Sequence, residues 1–333
     1  YWRSNLIMNF NIIGSGTWGI TFANLLILNG HNVKVLHRNS LKSKYLIKNN
    51  EHPDIPGFKI SKNIKYTNNF LDLDFSDTTL LAIPANTISK FISANNLSRF
   101  KIVILSKGLD SDSSLLISDL LIKKYNYNKS NIAVLSGPNH AEEIIRKKPT
   151  TSIIASSNKI LREDLRKNFS NIFFRIYTTS DIVGVQLGGA VKNVIAIASG
   201  ICSGLNLGDN AQASLVTRGL HEIMQLSKLY NFDPSTIYGL SGLGDLACTC
   251  YSDFSRNRKL GILLSKGYST KECEKNIDMI SEGVNTSKIL YNKIKANNLN
   301  MPICQEVYKI LFKKLSPKDS ILSLMTRPLK DEK

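Results

Sequence analysis

Apolar residues recur along the first half of the chain in short runs that end at turn-forming residues. Residues 9–13 run into Gly14-Ser15-Gly16-Thr17-Trp18-Gly19, and apolar positions then return with helical spacing at Ile20, Phe22, Ala23, Leu25, Leu26 and Leu28. Asn29-Gly30 follows, with glycine suited to a helix C-terminus, and residues 32–37 read as a second strand. Further apolar runs at 78–83, 101–105 and 131–135 stop at Pro84, at Ser106-Lys107-Gly108 and at Ser136-Gly137-Pro138. Such runs fit strands buried on both faces, and each precedes a segment able to form a helix. This alternation predicts a parallel sheet with right-handed crossovers, completed by residues 151–156 and 173–177.

After Thr179-Ser180-Asp181 the pattern changes. Ser180 can cap a helix and Asp181 suits its first turn. The rest reads as successive helices, broken near 204–208, 232–234, 239–244, 267 and 301–302. No solenoid repeat is present, and the amino terminus lacks a basic-then-apolar signal pattern. A strand can begin directly after Met8, so residues 1–7 read as an upstream extension.

Composition narrows the classes. The 333 residues carry 43 Lys and Arg against 26 Asp and Glu, a net charge of +17 and a pI near 9.6. The lysines are spread along the chain, often beside Asn and Ile, rather than gathered with aromatics into a stripe. No nucleic-acid partner is therefore expected. The longest apolar run, 194–201, is interrupted by Ser199 and Gly200 and falls short of the roughly 18 residues a membrane span needs, so none is expected. Five scattered cysteines, an odd number, point to a reducing compartment, the cytoplasm. Neither they nor the dispersed histidines have metal-ligand spacing, and no metal is expected. His221 reads as a structural histidine.

Four segments carry candidate chemistry. In Gly14 to Gly19, set between strand and helix, the first glycine permits a tight turn. The second lets backbone approach a pyrophosphate, and the third lets helix pack on strand. The helix N-terminus supplies free N–H groups for phosphates. The expected architecture is thus an α/β N-terminal Rossmann-like doubly wound sheet over 8–180, followed by an all-α C-terminal domain over 181–325. Lys107 and Gly137 stand at the strands' carboxyl edge, where ligands sit in such sheets.

The second segment is 184–195, where Gly188 and Gly189 each cost about 1 kcal/mol relative to alanine within a helix. Close approach of a flat nicotinamide ring or of another backbone would offset that. Lys192, one turn on, is either a proton-exchanging lysine in an apolar surround or a lysine snorkelling to solvent. Gly239-Leu240-Ser241-Gly242-Leu243-Gly244-Asp245 either brings backbone close to a small substrate and presents Asp245, or makes Asp245 a helix N-cap. Fourth, Ser255-Arg256-Asn257-Arg258-Lys259 places positive side chains in a helix first turn. That opposes the helix dipole unless a phosphate sits there, so an anion site is favoured over a solvated basic face.

Together these motifs, with Ser281-Glu282-Gly283 and Gly184 through Ile197, resemble the bacterial-type NAD(P)-dependent glycerol-3-phosphate dehydrogenases along almost the whole chain. The resemblance implies reversible reduction of dihydroxyacetone phosphate to sn-glycerol 3-phosphate, feeding glycerophospholipid synthesis. It implies Lys192 as catalytic proton donor and acceptor. It also implies a substrate set of Lys107, Gly137, Asn139, Lys192, Asp245, Ser255, Arg256 and Asn257. Cofactor positions would be Gly14, Gly16, Thr17, Trp18, Gly19, Arg38, Lys107, Ala141, Arg256, Ile280 and Glu282. A homodimer is the implied assembly. The chain departs from the family pattern at Asn139-His140, where Thr-Phe is usual, and in residues 52–56. No carboxylate ends the second strand; Arg38 there suits a 2′-phosphate, so NADPH should serve at least as well as NADH. A related dehydrogenase of another small hydroxy acid, or a nucleotide-binding regulator without turnover, are the alternatives.

Overall fold

Strand and helix alternate up to Thr179, and among the described residues every element beyond is helical. The structure is a computed structural model and describes residues 6–277, 282–329 and 331. Strands β1 (Asn9–Ile13), β2 (Asn32–Leu36), β3 (Lys65–Thr67), β4 (Thr78–Leu81), β5 (Lys101–Ile104), β6 (Ile132–Ser136), β7 (Thr150–Ala155) and β8 (Phe174–Thr179) make one sheet in the order β3-β2-β1-β4-β5-β6-β7-β8. Among them run helices α1 (Thr17–Leu28), α2 (Leu41–Asn49), α3 (Ala85–Ala94), α4 (Ile117–Asp119), α5 (Ala141–Ile144) and α6 (Lys159–Phe169). After β8 come α7 (Ile182–Gly204), α8 (Asp209–Gln225), α9 (Asp245–Tyr251), α10 (Arg256–Ser265), α11 (Thr270–Ile277), α12 (Glu282–Ala296), α13 (Pro302–Lys313) and α14 (Pro317–Met325).

The sheet is apolar on both faces because its strands are sandwiched. On β4, Leu80 joins the cluster that holds Phe22 and Leu26 of α1, while Leu81 joins the opposite cluster with Ile88 of α3. The chain leaves β1 for β2 on one side and returns to β4 on the other, so the crevice between these two strand ends is the topological switch point.

One expectation fails. The sheet is not wholly parallel, because β6 and β7 pair antiparallel. The reason is length: the only helix between them is four residues, rising about 6 Å, too little to recross a five-residue strand of about 17 Å. The chain turns back instead.

Helix α7 is mostly apolar, is buried along most of its length and packs against α8, α9, α10 and α12. By length and composition it meets the criterion for crossing a membrane, contrary to the reading from unbroken runs, but 89% of that window is buried within the protein. Its Val194, Ile195 and Ile197 pack with Leu220, Leu260 and Leu290 from the surrounding helices. It crosses α10 backbone to backbone: a Cβ at Gly200 would lie 2.0 Å from Arg258 O, and one at Gly261 equally close to Ile197 O.

Candidate active site

At the switch point, the turn from β1 to α1 is shaped for a phosphate. Gly14 has φ +115°, open to glycine but strained for other residues, and its N–H donates to Leu36 O at 2.9 Å. A Cβ on Gly19 would lie 2.2 Å from Gly14 O, so only glycine lets α1 pack so near the turn. Above Gly16 there is nothing within 4 Å, and as the α1 N-cap it supplies no side chain to the first-turn N–H groups. Space and free donors together fit a dinucleotide's pyrophosphate. Thr17 is buried in that first turn, and Trp18 lies edge-on to Phe22. Arg38 stands exposed just past β2 with His37 and Asn39, so no carboxylate occupies that strand end. His52, in the segment to which the sequence lent no role, is buried and donates through Nε2 to Ser15 O at 3.2 Å. Burial holds that imidazole below its usual range, hence neutral.

On the adjoining edge, three distant residues converge. Asp245, at the start of α9, accepts from Lys107 Nζ at 2.7 Å through Oδ2 and from Lys192 Nζ through Oδ1. Lys107 also donates to Gly137 O at 3.1 Å and to Asn139 Oδ1 at 2.8 Å. Lys192 donates to Thr249 Oγ1 at 2.7 Å. The side chains of Lys192 and Asp245 are 6% and 2% exposed, which rules out snorkelling. Burial presses the Lys107 ammonium down to about 8 despite Asp245, with Lys192 adding repulsion. The two ammonium groups hold the Asp245 carboxyl below its usual range against burial. Two cations on one anion leave an excess of positive charge in a water-poor cleft, the electrostatics that a developing oxyanion needs.

The glycine pair in α7 admits neighbouring protein. A Cβ on Gly188 would lie 2.5 Å from Ser241 O; on Gly189 it would lie 2.8 Å from Ser136 Oγ and 3.6 Å from Lys107 Cγ. Of the two accounts left open, close approach of other protein groups, backbone at Gly188, is what the geometry contains. The glycines of 239–244 act likewise: residues 240–244 form a π-helical turn, and a Cβ on Gly242 would lie 2.0 Å from Ile237 O. Asp245 follows the N-cap Gly244 rather than capping α9 itself.

Ser255 caps α10, its side chain accepting from Arg258 N at 3.2 Å. Arg256 is exposed, and its charge bears on Glu282 at the start of α12, whose carboxyl burial raises. Asn257 is buried and structurally engaged: it donates to Asn193 Oδ1 at 3.0 Å and accepts from Gly283 N at 3.1 Å, joining α7, α10 and α12. Arg258 pairs with Asp253, so part of the basic turn is neutralised within the protein. Ala141 is buried at the first position of α5, beside Asn139. Ile280 lies outside the described residues.

The family model for the NAD-dependent glycerol-3-phosphate dehydrogenase N-terminus matches residues 9–161, and that for the C-terminus of the same enzymes matches 181–322. The chain belongs to this family. A relative from Fusobacterium nucleatum, glycerol-3-phosphate dehydrogenase [NAD(P)+], is 38% identical over 331 residues, spanning 98% of this chain and 99% of its own. One of the same name from Staphylococcus aureus is 38% identical over 332 residues, 96% of this chain and 98% of its own. Among solved structures, glycerol-3-phosphate dehydrogenase from Coxiella burnetii superposes with a TM-score of 0.91 at 30% identity, covering 96% of this chain and 99% of that one. That from Plasmodium falciparum shares the fold, with a TM-score of 0.86 at 20% identity and coverage of 98% and 97%.

Of the residues that the family resemblance singled out, the structure gathers Lys107, Gly137, Asn139, Lys192 and Asp245 into one hydrogen-bonded group. The glycine turn and the Ser255–Asn257 loop are built as separate local motifs. Sequence reasoning missed Thr249 and Asn193. Thr249 stands four residues after Asp245 on the same helix face, a spacing that could have disclosed it.

Proposed function

We propose that this protein is an NAD(P)-dependent sn-glycerol-3-phosphate dehydrogenase that reversibly reduces dihydroxyacetone phosphate to sn-glycerol 3-phosphate and so supplies glycerophospholipid synthesis. The observation that carries this reading is the buried Lys107–Asp245–Lys192 group at the sheet's carboxyl edge, with the phosphate-suited turn of α1 on the same edge.

The reduced nicotinamide that the α1 turn suits would, when bound, supply the hydride to the carbonyl carbon. Lys192 Nζ then gives its proton to the carbonyl oxygen and takes one back in the reverse direction. Asp245 and Thr249 orient that ammonium, and Lys107 stabilises negative charge as it grows on the oxygen. Ser255 and Arg256 take the substrate phosphate at the α10 N-terminus, where helix dipole and guanidinium act together, and Asn257 fixes their loop. That remote grip orients the carbonyl. Gly14, Gly16, Thr17, Trp18 and Gly19 would hold the cofactor's pyrophosphate and Arg38 its ribose end, with Ala141 and Glu282 beside the nucleotide. The proposal includes a division into a nucleotide-binding unit over 8–180 and a catalytic unit over 181–325. It also includes a homodimer in the cytoplasm.

Absorbance at the reduced-nicotinamide band, followed with dihydroxyacetone phosphate plus NADPH or NADH, tests the reading. Both should be oxidised, NADPH at least as efficiently, and unphosphorylated dihydroxyacetone should be a far poorer substrate. Absence of ketone-dependent oxidation of either cofactor overturns it.

A further inference from the structure

The two lysines of the site are held in different ways. An ammonium has three N–H donors. Among the described residues, Lys192 Nζ donates to two protein oxygens, those of Asp245 and Thr249. Lys107 Nζ donates to three: Asp245 Oδ2 at 2.7 Å, Asn139 Oδ1 at 2.8 Å and Gly137 O at 3.1 Å. One of these acceptors comes from α9 and two from the turn between β6 and α5, so Lys107 is tethered from both halves of the chain.

Asn139 supplies the neutral side chain among these acceptors, and its own orientation is fixed. Its Nδ2 donates to Ser152 Oγ on β7 at 3.3 Å, and both residues are buried. A lysine offers no acceptor, so the amide must turn its oxygen to Lys107 and its nitrogen to Ser152. The turn itself is seated on β7: Gly137 has φ +127°, and a Cβ there would lie 3.1 Å from Ser152 Cα. The amide thus ties the ammonium to the sheet. The threonine usual at this position has one polar atom, a bond nearer the backbone, and cannot span what the two ends of an amide span. With both ends engaged, Asn139 is spent on its neighbours rather than on substrate, the role that family resemblance implies for it.

Building on the function proposed above, we infer that Asn139 is a positioning residue. Its amide, anchored on Ser152, holds the Lys107 ammonium in place beside Asp245 and Lys192 and acts on the reaction only through that lysine.

An acceptor favours the charged form of the group that donates to it, so without the amide Lys107 should lose its proton at lower pH. The titratable groups around Lys107 are Asp245 and Cys248 of α9, Lys192 of α7, His140 at the N-cap of α5 and Glu282 of α12. The ammonium groups keep Asp245 ionised, and burial pushes the Cys248 thiol up. Burial and the two ammonium groups press His140 down to about 4, so it is neutral throughout the alkaline range. Lys107 is the one of these whose side chain is bonded to Asn139, and an alkaline limb that moves with Asn139 therefore reports that lysine.

The test follows kcat, the KM for dihydroxyacetone phosphate and the pH profile of kcat/KM with NADPH in the wild type, Asn139→Leu and Asn139→Asp, each checked for its thermal midpoint. Leucine keeps the branched shape without an acceptor. In that variant kcat should fall about tenfold with KM within about twofold of wild type, and the falling limb should begin about one pH unit lower. Aspartate keeps an oxygen against Lys107 and adds charge, so its limb should move up by about one pH unit. A raised KM with kcat and limb as in wild type makes Asn139 a substrate contact and overturns the inference. A loss of rate with the limb unmoved in both variants is the mark of a merely structural role and overturns it equally. Should Asn139→Leu not fold, Asn139→Asp decides: a limb moved up supports the inference, and an unmoved one overturns it. A wild type without ketone-dependent oxidation of NADPH overturns the enzyme reading itself, and this inference with it.

Discussion

A Cβ grafted onto Gly16 would meet nothing within 4 Å, whereas one on Gly200 would lie 2.0 Å from the Arg258 carbonyl oxygen. The two glycines belong to regions built on opposite plans. In the β1–α1 turn, the missing side chain leaves empty space above unclaimed backbone donors, and that space is the feature a phosphate requires. In α7 the missing side chains are filled at once by neighbouring chain: Ser241 against Gly188, Lys107 and Ser136 against Gly189, Arg258 against Gly200. Openness serves a ligand that must enter and leave. Crowding serves a side chain that must not move, and Lys192 projects from this crowded helix. A catalytic group held by packed backbone loses little to disorder when substrate arrives. The same residue type thus marks a binding surface in one half and a rigid mount in the other.

The largest expected effect strikes the mounted group. Lys192→Ala should lower kcat by about 10³-fold, within the range removed with a general acid. The fold should persist, because Lys107 still pairs with Asp245 and no buried carboxylate is orphaned. Lys192→Met, which fills the vacated space, should be as slow as alanine; turnover near wild type in either variant would show that the ammonium is not the proton donor.

A middle-sized effect separates the two plans directly. Gly200→Ala forces a methyl into the Arg258 backbone and should cost about 2–3 kcal/mol, read as a lowered thermal or denaturant midpoint, with the KM for NADPH unchanged in the surviving folded enzyme. Gly16→Ala should do the reverse: stability within about 0.5 kcal/mol, since the methyl enters open space, but a KM for NADPH raised about tenfold. If Gly16→Ala destabilises as much as Gly200→Ala, the distinction between ligand glycine and packing glycine is void.

What the sequence disclosed divides along the same line. The glycine turn, the Ser255 cap and the breaks at Gly204, Pro234 and Pro302 are local, each written in a few consecutive residues with a conformational reason. The antiparallel return of β7 was hidden because an apolar run has no direction; only the brevity of α5 sets it. Lys107 and Asp245 are 138 positions apart, and Lys192 and Asp245 are 53 apart. Family resemblance named all three, yet nothing local says that one carboxylate bridges both ammonium groups. His52 and His140 were equally opaque. Their significance lies in what surrounds them, a turn carbonyl for one and the lysine pair for the other.

The smallest effect is a pH dependence, and it sets the two halves of the comparison against each other in one titration. The Lys107 ammonium is pressed by burial from its ordinary 10.5 to about 8, while Asp245 stays ionised. Below about 8 the charge on Lys107 is present; above it the folded enzyme loses that charge, and with it the stabilisation of the oxyanion. The kcat/KM for ketone reduction, which reports the free enzyme, should therefore fall by about fivefold as pH rises from 8 to 9. Stability should move the other way. Between about 8 and 10.5 the unfolded chain still holds the proton that the folded one has released, so this group's contribution to unfolding free energy rises with pH. Lys107→Arg, whose guanidinium keeps its charge throughout, should flatten the falling limb of activity, although its planar fork will cost some rate by fitting poorly among Gly137, Asn139 and Asp245. A wild-type kcat/KM that stays level to pH 9.5 would mean that the crowded site does not depress this lysine, and that its packing mounts Lys192 alone.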